Sequence, residues 1–181
     1  MALELDLRWQ PVDQVGLEHC RLWESADGIN VRSVLIGTFD GFAYGAQYDI
    51  QLASDWTFRS LTLRLHDGRV LRLLSNGLGD WKLNGRRAPE LEGCVDVDIS
   101  GTPFTNTLPI RRATFADGTP REFTMAWVPL DSLEPFRDRQ VYTRLDPTQY
   151  RYLSGDGSFE QVLTVDANGF VLDYPTLFRR V

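Results

Sequence analysis

The chain is poor in metal-ligating side chains: its 181 residues include two cysteines and two histidines. A structural zinc site takes about four ligands from Cys, His or carboxylate. His19, Cys20, His66 and Cys94 do not have that spacing, so no metal and no cofactor is expected. Cys20 and Cys94 read as free, buried thiols in a reducing compartment. No apolar run reaches the roughly 20 residues of a membrane-spanning helix, so no transmembrane segment is expected. Met1 to Leu7 alternates apolar and acidic residues with no basic start. It does not read as a signal peptide, which makes cytoplasmic the expected location. Positive charge is also scarce, with a net charge of −6 and a pI near 4.9. Nucleic-acid binders carry a basic face. Here Arg86-Arg87, Arg111-Arg112 and Arg179-Arg180 are isolated pairs, which argues against a nucleic-acid partner.

Catalytic signatures are missing too. There is no glycine-rich phosphate loop, nucleophile elbow, His-Glu-x-x-His or Cys-x-x-Cys. His19 and Cys20 are sequence neighbours, but on a strand from Leu17 to Trp23 they would point to opposite faces. No catalytic residue is assigned, and the balance favours a protein that is not an enzyme.

What is present is turn chemistry. Eight Asp-Gly or Asn-Gly dipeptides punctuate the chain, from Asp27-Gly28 to Asn168-Gly169. Such pairs tolerate the positive φ of tight hairpin turns. Between them, apolar residues alternate: Leu61, Leu63 and Leu65; Val95, Val97 and Ile99; Phe123, Met125 and Trp127. Period 2 is the mark of half-buried antiparallel strands, and about a dozen are expected. With 43% hydrophobic residues and no linker or repeat, residues 1–181 read as one mainly β domain. One helix is expected at Thr102 to Arg112, with Thr102 as N-cap and Pro103 opening the first turn, limited by Pro109. Asp131 to Arg139 is a weaker helical candidate, interrupted by Pro135.

Two polar sets stand out. Asp96 and Asp98 share one strand face, roughly 6.6 Å apart by strand rise, with Arg111 and Arg112 as partners nearby in sequence. Such a pair suits either a structural ion pair or acid chemistry. Gln140, Tyr142 and Arg144 share a face on the next candidate strand, and Tyr150 and Tyr152 share one beyond it. Tyrosines, apolar with a polar tip, suit the mouth of an amphipathic pocket and are also ordinary sheet residues.

The stretch from Asp96 to Arg112, DVDISGTPFTNTLPIRR, resembles the signature of a bacterial family described as "putative glycolipid-binding", formerly a domain of unknown function. Gln140 to Leu145, Tyr150 to Tyr152, Val171 to Pro175 and Gly79 to Gly85 match it as well. The resemblance implies a many-stranded antiparallel spiral β-roll wrapped around a single short α-helix, in a homodimer, and brings no catalytic residues. The leading expectation is a non-catalytic protein that binds a glycolipid or another amphipathic small molecule, in glycolipid metabolism or transport. Its ligand-binding set would be Asp96, Asp98, Asn106, Arg111, Arg112, Gln140, Tyr142, Arg144 and Tyr152, with Phe104 and Trp127 adding apolar surface. The alternatives are a small-metabolite enzyme with a carboxylate/Arg/Tyr pocket, and a dimeric interaction module whose polar core is structural.

Overall fold

A computed structural model describes residues 4–181. The first three residues of the Met1 to Leu7 segment lie outside the described residues. All eight Asp-Gly and Asn-Gly dipeptides place their glycine at positive φ. At Asp40-Gly41 both residues do so, at 46° and 78°. This matches the twist of the two-residue hairpin they close, in which Phe39 pairs with Phe42.

The turns divide the described residues into fifteen strands. The N-terminal half comprises β1 (Glu4–Pro11), β2 (Leu17–Ser25), β3 (Gly28–Phe39), β4 (Phe42–Leu52), β5 (Phe58–Leu65), β6 (Val70–Ser75), β7 (Trp81–Leu83) and β8 (Arg86–Arg87). The C-terminal half comprises β9 (Asp96–Ile99), β10 (Pro120–Val128), β11 (Phe136–Asp146), β12 (Gln149–Ser154), β13 (Glu160–Val165), β14 (Val171–Tyr174) and β15 (Phe178–Arg180). Between β9 and β10 lie a 3-10 turn, Phe104–Asn106, and one helix, α1 (Thr107–Arg112).

All strands belong to one sheet, in the order β8-β7-β6-β5-β4-β3-β2-β1-β15-β14-β13-β12-β11-β10-β9. Each half is a meander, and the halves join in mid-sheet where Trp9 of β1 pairs with Arg180 of β15. Every pairing is antiparallel except β9 with β10, which runs parallel. A parallel pair needs a crossover connection, and α1 lies within it. The sheet curls until its ends approach. Trp81 Nε1 on β7 donates to Cys94 O, ahead of β9, at 3.0 Å, and Gly93 N donates to Gly79 O at 3.0 Å. Residues 96–110 are all buried. The fold is thus mainly β, a many-stranded roll around one short helix.

Burial on both sides explains why Asp96 to Ile99 carries no inside–outside alternation of exposure. The surrounding strands bury the helix with apolar side chains, Phe104 and Leu108 joining the N-terminal core and Ile110 the C-terminal one. The N-cap expected at Thr102 falls elsewhere: Pro103 holds that position for the 3-10 turn and Asn106 for α1, while the Thr102 hydroxyl accepts from Phe104 N at 3.0 Å just ahead of the turn. The helix runs through Pro109 to Arg112 rather than stopping there. Pro109 is the third residue of α1, in the first turn, where N–H groups have no intrahelical partner to lose.

Asp131 to Arg139 is not helical, contrary to the sequence-based candidate. It forms a turn and then enters β11 at Phe136. Pro135 removes a donor, Leu133 sits at φ 56°, and the β10 ladder captures the chain from Phe136 onward. The additional strands beyond a dozen include β7, β8 and β15, two or three residues long, too short to display a period.

Candidate functional site

The inner face of the C-terminal half holds a cavity of about 500 Å³. Its walls come from the ends of several elements. Phe39 closes it from β3, Trp127 from β10, Phe136 from β11 and Phe178 from β15. Tyr152 stands at 6.0 Å from Phe159 and 6.2 Å from Tyr174, ring centre to ring centre. The aromatic walls meet polar groups from the central segment: Asp98, Ser100, Thr102 and Asn106.

Asp98 anchors a buried network. Its Oδ1 accepts from the Thr105 hydroxyl at 2.6 Å, and its Oδ2 from Gln140 Nε2 at 2.6 Å. The same Nε2 reaches Asp138 Oδ2 at 3.0 Å, which also lines the cavity. Asn106 Nδ2 donates to the Tyr142 hydroxyl at 2.9 Å, and that hydroxyl donates to Gln140 Oε1 at 3.4 Å. Burial pushes the Asp98 carboxyl up to about 6, against the lowering effect of the Thr105 and Gln140 bonds. Burial likewise raises the Tyr142 phenol far above its ordinary value. With its amide nitrogen and carbonyl both engaged, Gln140 fixes Asp98, Asp138 and Tyr142 relative to one another.

Asp96, two residues back on β9, points into a separate setting. Arg112 Nη2 lies 3.2 Å from its Oδ2, yet neither carboxyl oxygen accepts a well-aligned hydrogen bond. Burial pushes Asp96 up to about 7, and the neighbouring Arg112 guanidinium pulls it down only in part. The two acids share a strand, but the Asp96–Arg112 pair is not among the cavity's lining residues.

The N-terminal half has its own polar island. Glu18 Oε1 accepts from Ser33 Oγ and the Tyr48 hydroxyl, each at 2.6 Å. Tyr48 also lies 3.4 Å from Thr102 Oγ1, so this island touches the cavity wall through Thr102. Burial raises the Glu18 carboxyl. Cys20 and Cys94 are free and buried. His19 faces outward, with Nε2 3.1 Å from Asp6 Oδ1, so it does not form a pair with Cys20. Among the described residues, no group of three or more His, Cys, Asp or Glu is placed to hold a metal ion.

A second cleft, about 670 Å³, lies along the β6–β8 edge between Arg59, Lys82, Arg87 and Asp80. Trp81 is its one aromatic residue, and that ring is 2% exposed. Leu74 adds an exposed apolar side chain beside it, but the cleft has none of the converging aromatic rings of the first cavity.

These geometries can be set beside known proteins. The model of the family described as "putative glycolipid-binding" matches residues 6–180. The chain belongs to this family. A solved structure of a DUF1089 family protein from Pseudomonas aeruginosa is 38% identical in sequence, with a TM-score of 0.80 over 91% of this chain and 92% of that one. No curated protein matches. In this member of the glycolipid-binding family, the signature stretch from Asp96 to Arg112 forms β9, the buried helix and one side of the cavity.

The nine sequence-derived residues divide into two groups. Asp98, Asn106 and Tyr152 line the cavity, and Gln140 and Tyr142 stand directly behind them. The other four do not join them. Asp96 and Arg112 pair with each other. Arg111 lies over the Trp56 ring at 4.3 Å and donates to Asn168 O. Arg144 pairs with Asp117 at 2.5 Å on the surface. Of the expected charged cluster, Asp96 and Arg112 pair with each other, while Arg111 and Arg144 have other partners. Consecutive helix residues diverge by about 100°, which sends Arg111 and Arg112 apart. Arg144 sits near the end of β11, where Gly118 N bonds to its carbonyl and its side chain reaches the Asp117 carboxylate. Phe104 is wholly buried in the core, whereas Trp127 lines the cavity.

Sequence reasoning missed Asp138, Arg139, Asp156 and Phe159. Asp138 had a signal, because it precedes Gln140 and Tyr142 by the strand period. Asp156 belongs to a turn dipeptide and Phe159 follows just after it, and no strand period reaches across a turn.

Proposed function

We propose that this protein is a non-catalytic binding protein that holds an amphipathic ligand of the glycolipid type in the C-terminal cavity. The observation that carries this is the cavity's composition. Aromatic walls from six strands face a hydrogen-bonding side built by Asp98, Ser100, Thr102 and Asn106. Pockets for small molecules are mostly apolar, with a few placed polar groups, and run from about 300 to 1,000 Å³. The family description and its match over residues 6–180 support the same ligand class. At about 500 Å³ the space suits a head group with part of one chain. A water-sized group occupies about 30 Å³, so two long acyl chains exceed it.

The reading extends to a cytoplasmic homodimer that carries its ligand in glycolipid metabolism or transport. Leu17, Val34 and Ile36 stand exposed at 44%, 57% and 57% on the outer face of β2 and β3, where Leu17 and Ile36 are directly paired. That patch is the surface such a dimer would cover. Among the described residues no helix is long and apolar enough to cross a membrane. Native mass spectrometry of protein purified without detergent, followed by organic extraction, tests both parts. A dimer carrying an extractable glycolipid is expected. A ligand-free protein that also fails to take up alkyl glycosides would overturn the binding reading.

One observation favours the enzyme alternative: Asp98 and Asp138 both bond to Gln140 Nε2 at the cavity wall. Turnover of p-nitrophenyl glycosides that disappears in Asp98→Asn would support it. No turnover leaves binding as the function.

A further inference from the structure

The charges around the cavity are unequal. Three carboxyl groups line it, those of Asp98, Asp138 and Asp156, against one guanidinium, that of Arg139. Arg139 is itself committed elsewhere, with Nε 3.5 Å from Glu122 Oε2 outside the cavity. The arginines that looked available in the sequence are turned away, Arg111 to Trp56 and Asn168, Arg112 to Asp96 and Arg144 to Asp117. What remains beside the carboxyls is neutral: the hydroxyls of Ser100, Thr102, Ser154 and Ser158 and the Asn106 amide.

We infer that the cavity selects an uncharged, hydroxyl-rich head group, such as a neutral sugar on an alkyl chain, and rejects heads bearing phosphate, sulfate or carboxylate. This rests on the cavity reading proposed above and adds its selectivity.

Carboxylates accept hydrogen bonds and do not donate them when ionised. A sugar hydroxyl can donate to each one, while an anionic oxygen can only repel it. The Asp156 bonds from Ser154 and Ser158 all fall on Oδ1, and they hold that carboxyl down near 2. It is therefore ionised in neutral solution. Asp98 is buried and Asp138 half-buried, where like charges interact more strongly than in water, while Asp156 stands at the exposed mouth. An anion here would meet three carboxyl groups against one guanidinium, that of Arg139, which Glu122 already draws outward. The flat faces of Trp127, Phe136 and Phe159 suit the apolar face of a sugar ring and the start of its chain. Cationic groups gather instead at the β6–β8 edge, around Arg59, Lys82 and Arg87.

Competition calorimetry separates these possibilities and keeps the cavity distinct from the basic edge. n-Octyl β-D-glucoside is titrated into the full chain at pH 8, below its micellar concentration, and n-octyl phosphate is then used as competitor. The glucoside is expected to bind, with the phosphate at least about tenfold weaker in displacing it, equivalent to about 1.4 kcal/mol. Asp138→Asn combined with Asp156→Asn should narrow that gap to about threefold or less, since it removes like charge from the site. Arg139→Gln should widen it. Circular dichroism melts confirm that both variants fold. Phosphate that binds without displacing the glucoside sits elsewhere and supports the inference. Equal or preferred displacement by the phosphate overturns the selectivity and leaves the binding site standing. If neither probe binds, the cavity reading fails, and the selectivity with it.

Discussion

The two halves of the roll bury carboxyl groups in different ways. In the N-terminal half Glu18 sits in a closed island, bonded to Ser33 and Tyr48 and surrounded by apolar side chains. In the C-terminal half Asp98 lies at the side of a cavity, tied to Thr105 and Gln140. The aromatic packing differs as well. Phe58 and Trp81 stack at 5.0 Å and 16° in the N-terminal core. Tyr142 meets Phe123 and Tyr152 edge-on, at 82° and 78°. Of these three rings Tyr152 lines the cavity, and Tyr142 and Phe123 are buried behind it. One sheet thus uses one half as a filled core and the other as a container, with the buried helix as the partition.

The largest effect should come from emptying the filled half. Phe58 is fully buried against Trp81, and truncating such a ring costs about 3–5 kcal/mol. Phe58→Ala should therefore lower the urea midpoint sharply. Phe159→Ala, at a half-buried cavity wall, should cost less than half as much and weaken glucoside binding. Equal losses of stability in both variants would mean that the cavity walls are packed as tightly as the core, and the contrast between halves would fall.

The next effect is pH dependence. Asp96 and Asp98 are raised by burial to about 7 and about 6, above the ordinary 3.8. In this range the folded state holds protons that the unfolded chain has released. The stability they contribute is full below about pH 4 and lost as pH rises through about 6 and 7. Glu18 is raised as well and adds to the same trend. Exposed acids that are lowered, such as Asp156 near 2, act in the opposite sense but below about pH 4. A loss on the order of 3 kcal/mol between pH 5 and pH 8 is expected. Asp96→Asn should remove much of that slope, because the amide has no proton to lose. An unchanged slope would assign the effect to Asp98 or Glu18.

Asn106→Ala should cost about 1–3 kcal/mol, the penalty for stranding a buried partner. It leaves the Tyr142 hydroxyl without its amide donor. The melt should shift by less than in Phe58→Ala, and glucoside affinity should drop because Asn106 lines the cavity. A stable variant with intact affinity would place Asn106 outside both roles.

Much of this was legible in the sequence, and the reasons are local. The Asp-Gly and Asn-Gly turns declare themselves because two adjacent residues decide a hairpin. The strand period revealed that Gln140 and Tyr142 share a face, and both do point inward at 0% exposure. Thr102 and Pro103 marked the entry to the helix for equally local reasons. The sequence did not reveal which arginines reach the acids. That depends on the direction of Arg111 and Arg112 around one short helix, and on how the curled sheet sets the helix against β9. Both follow from tertiary packing. Nor did the period show the cavity wall at Asp156 and Phe159, since these residues come together with Trp127 only when the sheet closes.

The smallest expected effect is at Arg144, where sequence and structure disagree most plainly. The strand period put it on the same face as Gln140 and Tyr142 and so made it a head-group candidate. In the fold its guanidinium lies 2.5 Å from Asp117, whose side chain is 65% exposed. Exposed pairs contribute about 0–1 kcal/mol because solvent already stabilises both charges. Arg144→Ala should therefore shift stability by about 0.5 kcal/mol or less, and glucoside affinity should not change. Arg112→Ala provides the contrast, since Asp96, its partner, is fully buried. Losing that guanidinium should push the Asp96 carboxyl further up, so the penalty should grow as pH rises from 5 to 8. If Arg144→Ala instead weakened ligand binding while Arg112→Ala left the pH slope untouched, the strand period would have identified the head-group site better than the fold does.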